Sequence, residues 1–294
     1  FKVVGTFLLS AILVLVITGS IFATALTIYV LNYADTTTTV SLENITANYT
    51  SRFLYENPDY DEDTGKGEEY LLYYALKNTN QHAVWTDYQS IPQNLSNAVV
   101  AAEDERFLSH DGVDFKRTLA SFVNIFIPIY DEKSGGSTIT QQTIKNLTGD
   151  DARDLADGGA ERKIREIFRA MNVERTYSKE DILECYLNII SFATYDYDII
   201  GVQAAANYYF GKDVSQLNIG ECASLAAMIK GPAELNPIED RKTNKERAQY
   251  VLRKMNEIGL LASDDWEKGL KQLDELETTG DITYSSVTQF EDET

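Results

Sequence analysis

Arg162-Lys163-Ile164-Arg165-Glu166-Ile167-Phe168-Arg169-Ala170-Met171 places its apolar residues at 164, 167, 168 and 171. That is the i, i+3, i+4, i+7 spacing of one buried helical face, and it predicts that Arg162, Arg165, Glu166 and Arg169 point the other way. Similar periodicity continues on both sides, so the stretch from about Gly159 to Tyr250 reads as mostly helical. Ser178, with Asp181 three residues on, opens a helix near Lys179. Further helices are expected over Gly220–Lys230, Asn244–Glu257 and Asp264–Leu276. Upstream, Ile91-Pro92 opens another, with Leu95, Val99, Val100 and Ala102 as its apolar stripe. The fold class is mainly α.

Farther toward the N-terminus, no charged residue occurs from Val3 to Ala34. A bilayer needs about 20 apolar residues, so this run spans one with length to spare. A cleaved leader has a shorter apolar region, although Ala23-Thr24-Ala25 resembles a cleavage site. Lys2 precedes the run and Asp35 follows it, which favours an exported body. Residues 35–90 are polar and Tyr-rich. Runs such as Glu69–Tyr74 and Ala83–Trp85 read as short strands, making this segment a stalk with some β structure.

The 294 residues carry 26 basic and 46 acidic groups, a net charge of −20. A phosphate backbone would be repelled, so no nucleic-acid partner is expected. Two cysteines and two histidines argue against a disulfide framework and a His/Cys zinc site. Cys185 and Cys222 lie in apolar helical patterns and read as core thiols. Phe1 and the acidic, Ser/Thr-rich last 18 residues read as the ends of a piece, the latter a linker toward a further domain.

Three stretches carry chemistry-bearing residues. Ala101-Ala102-Glu103-Asp104-Glu105-Arg106-Phe107-Leu108-Ser109-His110-Asp111-Gly112 sets three carboxylates at the end of an apolar helix, where one can serve as a general base or simply face solvent. Ser134-Gly135-Gly136-Ser137-Thr138-Ile139-Thr140-Gln141-Gln142, followed by Lys145, is a loosened loop running into a helix. Ser137 can cap that helix, its N-terminus can face an anion, and Lys145 can reach a phosphate. It lacks the order of a nucleotide P-loop. In the third, Arg162 and Glu166 share a helical side, with Lys163 beside Glu166. Alone, such a triplet is usually a surface ion cluster.

In this order and spacing the three stretches resemble the peptidoglycan glycosyltransferase domain (glycosyltransferase family 51) of class A penicillin-binding proteins. The family patterns Glu-Asp-x-x-Phe-x-x-His-x-Gly, Gly-Gly-Ser-Thr-Ile-Thr-Gln-Gln-x-x-Lys and Arg-Lys-x-x-Glu are all present. Tyr177–Leu183 with Tyr186-Leu187-Asn188, Ala204–Lys212, and Ala223–Ala226 leading to Asn236-Pro237 extend the likeness over about residues 91 to 262. The segment Ile189–Tyr197 departs from the aromatic–Gly pair common in the family.

The resemblance implies a lysozyme-like helical head lobe and a smaller membrane-associated jaw lobe, here the apolar Thr118–Tyr130. The expected organisation is an anchor over 1–34, a stalk over 35–90, the glycosyltransferase domain over 91–262, and a C-terminal helix and acidic linker over 263–294. The implied reaction polymerises lipid II into glycan strands, inverting at C1 with release of undecaprenyl pyrophosphate. Glu103 and Glu166 would be catalytic, Glu103 as the base. Asp104, Arg106, Ser137, Thr138, Gln141, Lys145, Arg162, Lys163 and Asn188 would contact or shape the substrate site, with Asp104 and Arg106 setting Glu103. The contribution of Glu166 stays open between leaving group, sugar positioning and a metal. No cofactor is otherwise required; Mg or Mn is the candidate divalent cation, and the acidic segment Gly149–Glu161 is a candidate to attract one. Implied partners are lipid II and its lipid-linked glycan, the membrane, moenomycin-type inhibitors and other cell-wall synthesis proteins. The implied location is a bacterial cell membrane, single-pass, with the catalytic domain outside. A non-catalytic scaffold that binds lipid II, and a lysozyme-like hydrolase, are the alternatives. The Lys/Arg group disfavours the hydrolase, whose leaving group needs an acid rather than phosphate binders. Ser-x-x-Lys with its partner motifs is absent from this sequence, so acylation by β-lactams is not expected.

Overall fold

The computed structural model describes residues 2–34, 40–42, 51–56, 70–76, 81–118, 136–148, 159–194 and 198–280. Helix α1 (Lys2–Ala34) follows the uncharged run, and its Gly5–Ala25 window has a mean hydropathy of 2.4 with no residue buried in protein. Its hydroxyls bond back to the backbone: Ser10 to the Thr6 carbonyl, Thr18 to Val14, Thr24 to Ser20 and Thr27 to Ala23, all at 2.8–2.9 Å. Each of these four hydroxyls thus has a partner in a medium without water. The helix suits a membrane anchor.

Strands β1 (Ser51–Glu56) and β2 (Tyr70–Leu76) pair antiparallel with an irregularity between Phe53 and Leu54. Strand β3 (Gln81–Ala83) pairs in parallel with β4 (Asp198–Ile200). The body is helical, as expected: α2 (Gln93–Glu103), α3 (Ile139–Thr148), α4 (Gly159–Thr176), α5 (Lys179–Ile189), α6 (Val202–Phe210), α7 (Ile219–Met228), α8 (Arg241–Glu257) and α9 (Ser263–Asp274).

Helix α7 is the centre. All ten of its residues are buried, and α2, α6, α8 and α9 pack around it. A helix whose sole charged side chain, Glu221, is held by its own cap and by Lys212 suits such a place. Close approach to α9 depends on glycine: a Cβ on Gly269 would lie 2.9 Å from the Ile219 side chain, and one on Gly220 would lie 2.8 Å from Gln272 Cβ. Capping boxes start α5 (Ser178 with Asp181) and α7 (Asn218 with Glu221), satisfying N–H groups that a helix start leaves open. Cys185 and Cys222 are free thiols in the core, and burial pushes the Cys185 thiol up to about 12.

Two expectations change. Residues 81–90, expected in the stalk, are knitted to the body. Besides the β3–β4 pairing, the Trp85 indole and the Tyr88 N–H both donate to Glu184 of α5, and the Thr86 N–H donates to Asn188. The second change concerns α4. Glu166, Ala170 and Val173 are its buried residues, whereas Ile164, Ile167, Phe168 and Met171 are only partly covered. The packed side runs through Glu166 because cations on the same helix neutralise it there. Apolar periodicity cannot register a paired carboxylate. The jaw residues 119–130 and the acidic residues 149–158 lie outside the described residues.

Candidate active site

The site is built around α3, which packs on α4 and α5. Thr138 caps it in a reciprocal box. The Thr138 N–H donates to Gln141 Oε1 at 2.9 Å, and the Gln141 N–H donates to Thr138 Oγ1 at 3.2 Å. The Thr138 hydroxyl itself donates to the Gly112 carbonyl at 2.7 Å. Both Thr138 and Gln141 are fully buried, so they shape the helix start rather than line a groove. Ser137, expected as the cap, is half-buried one position earlier, and its hydroxyl accepts from Lys163 Nζ at 2.8 Å.

Asp104, immediately after α2, is the buried support of this junction. Its Oδ2 accepts from the Ile139 N–H at 3.0 Å and from His110 Nε2 at 2.9 Å. Its other oxygen has Arg117 at 3.9 Å. A carboxyl group so deeply buried needs such partners, and the open end of a helix is a favourable one. Arg106 does not orient Glu103. It pairs with Asp114 at 2.6 Å, while Arg117 donates to the backbone carbonyl of Glu103. Burial opposes ionisation of Asp114 most strongly, yet the Arg117 N–H and the Arg106 guanidinium outweigh it and hold the carboxyl below its usual range.

Glu103 ends α2 half-exposed. Its Oε2 accepts from Gln142 Nε2 at 2.9 Å, and Gln142 Oε1 accepts from the buried Tyr186 hydroxyl at 3.1 Å. Glu166, 6% exposed, accepts from Lys163 and has Arg162 at 3.7 Å. The two acids are thereby tied to one short stretch: Glu103 through Gln142 of α3, and Glu166 through Lys163 to Ser137, just ahead of that helix and five positions before Gln142. Lys145 is exposed on the same helix, one turn beyond Gln142.

Asn188 does not join this group. It is fully buried, accepts from the Thr86 N–H at 2.8 Å, and donates to the Thr86 and Glu184 carbonyls at 2.8 Å. Two of these three bonds hold Thr86 of the 81–90 segment, and the third stays within α5. Sequence reasoning missed Gln142, Tyr186, Arg117 and Gly112. Gln142 was legible, since Thr138, Gln142 and Lys145 fall at i, i+4, i+7 on one side of a helix.

The groups paired with Glu166 on α4 are two cations, of which Lys163 also donates to the Ser137 hydroxyl. Among the described residues no group of three His, Cys, Asp or Glu side chains could hold a metal ion. The chemistry present fits an anionic ligand beside a half-exposed carboxylate.

The transglycosylase family model matches residues 70–256, more than half of the chain. The chain belongs to the transglycosylase family. Penicillin-binding protein 1A of Clostridium perfringens (strain 13 / Type A) is 38% identical over 198 residues, covering 63% of this chain and 27% of that protein. Penicillin-binding protein 1A of Rickettsia felis is 38% identical over 207 residues, 70% of this chain and 24% of its own. Penicillin-binding protein 1F of Bacillus subtilis (strain 168) is 38% identical over 175 residues, 60% and 23% respectively. The solved structure of penicillin-binding protein 1A from Haemophilus influenzae covers 79% of this chain and 22% of that chain, at 19% identity and a TM-score of 0.40. The chain spans about a quarter of the length of the curated relatives it matches. The reading of the sequence as a class A glycosyltransferase domain with an N-terminal apolar helix is borne out. The family match begins at residue 70, ahead of the expected boundary at 91.

Proposed function

We propose that this domain polymerises lipid II on the outer face of a bacterial membrane, held there by α1. The observation that carries the reading is the convergence on the start of α3: a half-exposed carboxylate bonded to Gln142, and Lys163, which shares Glu166 with Arg162, bonded to Ser137. In this mechanism the growing, lipid-linked glycan is the donor and an incoming lipid II the acceptor. Glu103 takes the proton of the acceptor 4-hydroxyl as that oxygen attacks C1 of the donor sugar. The C1–O bond to the pyrophosphate breaks on the opposite side, so configuration inverts and the electron pair departs on a pyrophosphate oxygen.

Lys163 and Arg162, with Lys145 nearby, face the charge that develops there, and fixed cations in a partly dry groove stabilise it at little reorganisation cost. Glu166 serves by aiming the two cations rather than by giving up a proton, since it is buried against both of them. Asp104 and Thr138 hold the geometry from beneath. Membrane residence suits a reaction whose two substrates both carry prenyl tails.

The test is the detergent-solubilised chain with labelled lipid II. Glycan strands should form, moenomycin should stop them, and Glu103→Gln should lower turnover by about 10²–10⁴-fold, the usual contribution of a general base. Turnover by Glu103→Gln at the wild-type rate would overturn the assignment. Lipid II binding with no product from the wild-type chain would favour the scaffold.

A further inference from the structure

Gln142 holds one oxygen of Glu103, and the side chain that holds Gln142 lies on another element. Tyr186 belongs to α5, is fully buried, and meets Gln142 Oε1 through its hydroxyl. A primary amide can turn end for end and present either its oxygen or its nitrogen. The carboxylate on one side and the phenol on the other settle the choice together here. Burial, then the charges of Glu103 and Asp104, push its ionisation well above the ordinary range, so it stays a donor at every working pH. Its hydrogen bond to Oε1 secures the orientation in which the amide N–H points at Glu103 Oε2, a carboxylate oxygen that can only accept. The other Glu103 oxygen has no protein partner among the described residues.

We infer that Tyr186 is a positioning residue for the reaction: acting through Gln142, it fixes the Glu103 carboxylate so that one oxygen is bound and the other faces the acceptor hydroxyl. This rests on Glu103 being the base. Without the phenol, Gln142 is held from the Glu103 side alone and can swing away from the carboxylate. Loss of the N–H donor also removes a stabiliser of the charged form, so kcat should fall most on the acid side. The other charged groups around Glu103 are Asp104 with His110 upon it, Arg117 on the Glu103 carbonyl, the adjacent Glu105 with Lys254 at 4.0 Å, and Lys145 along α3. All of them stay in place when only the Tyr186 hydroxyl is removed.

The test measures kcat and KM for lipid II from pH 5 to 9 in the wild type, Tyr186→Phe, Gln142→Ala and Glu103→Gln. Tyr186→Phe keeps the ring that fills the core. Its kcat should fall about 10-fold with KM within 2-fold, and the acid limb of kcat should move to higher pH. Gln142→Ala should do the same, and adding Tyr186→Phe to it should change little further, because the phenol acts only through the amide. A Tyr186→Phe profile that superposes on the wild type, or losses that multiply in the double variant, would overturn the inference. An equal drop at every pH with no movement of the limb would mark a packing role and overturn it as well. Glu103→Gln separates the two levels: its inactivity beside a wild-type Tyr186→Phe sinks only the relay, whereas its full activity sinks the assignment of the base.

Discussion

Replacing Gly112 with alanine should be among the most damaging single-methyl changes available to this chain. Gly112 adopts a φ of +89°, where an L side chain is strained by roughly 1–3 kcal/mol. A Cβ built there lies 2.5 Å from the Ala170 carbonyl oxygen, 2.7 Å from its carbon and 3.0 Å from the Met171 nitrogen. These are backbone atoms of α4 and have no rotamer by which to leave. The helix must shift against the 101–114 segment, and overpacking of that kind costs about 1–3 kcal/mol more. At roughly 2–4 °C per kcal/mol for a body of this size, Gly112→Ala should melt about 5–20 °C lower than the wild type. A control is built into the molecule. Gly259 has a φ of +78° with nothing within 4 Å of its would-be Cβ, so Gly259→Ala carries strain without collision. Thermal melts followed by circular dichroism should place Gly112→Ala clearly below Gly259→Ala. Equal melting temperatures, or a Gly112→Ala melt within about 2 °C of wild type, would refute the reasoning. Activity should fall too, because the same shift moves Lys163 and Glu166 relative to Ser137.

Two further outcomes follow from the buried polar contacts. Asn188→Ala strands the Thr86 N–H and carbonyl and should cost about 2–4 kcal/mol in urea unfolding while leaving KM for lipid II within 2-fold; a large rise in KM with unchanged stability would restore a substrate-binding role. Asp114 has a depressed folded-state pKa, so its contribution is present above the unfolded value of 3.8 and is lost as pH falls through the folded one. Asp114→Asn should therefore be less stable than wild type near pH 7, with the gap closing below about pH 4, and a gap that stays constant from pH 7 to 3 would contradict the pairing with Arg106.

Helix positions were legible wherever the signal is local. The Ser178–Asp181 cap, the uncharged run of α1 and the apolar stripes of α7 and α8 each lie within a few residues, and the observed elements agree with them closely. What the sequence concealed is pairing at a distance. Glu166 looks like a solvated acid until Lys163 and Arg162 neutralise it against α3. Asn188 looks like a ligand-binding amide until the 81–90 segment lies across it. Arg106 looks like the neighbour of Glu103, yet the chain turns and Asp114 takes it. In each case the local pattern gave the secondary structure, and a partner at longer range decided where the polar group points.

The pairing of β3 with β4 has a consequence for synthesis. Gln81 and Asp198 become neighbours only after more than a hundred intervening residues have left the ribosome, which at ordinary translation speed takes roughly 6–25 s. Throughout that interval the nascent chain hangs from a bilayer by α1 with one ladder edge waiting for its mate. Exposed edges of this kind recruit strangers, so three-residue strands are a prudent choice here: long enough to lock the finished body, too short to trap a passing chain.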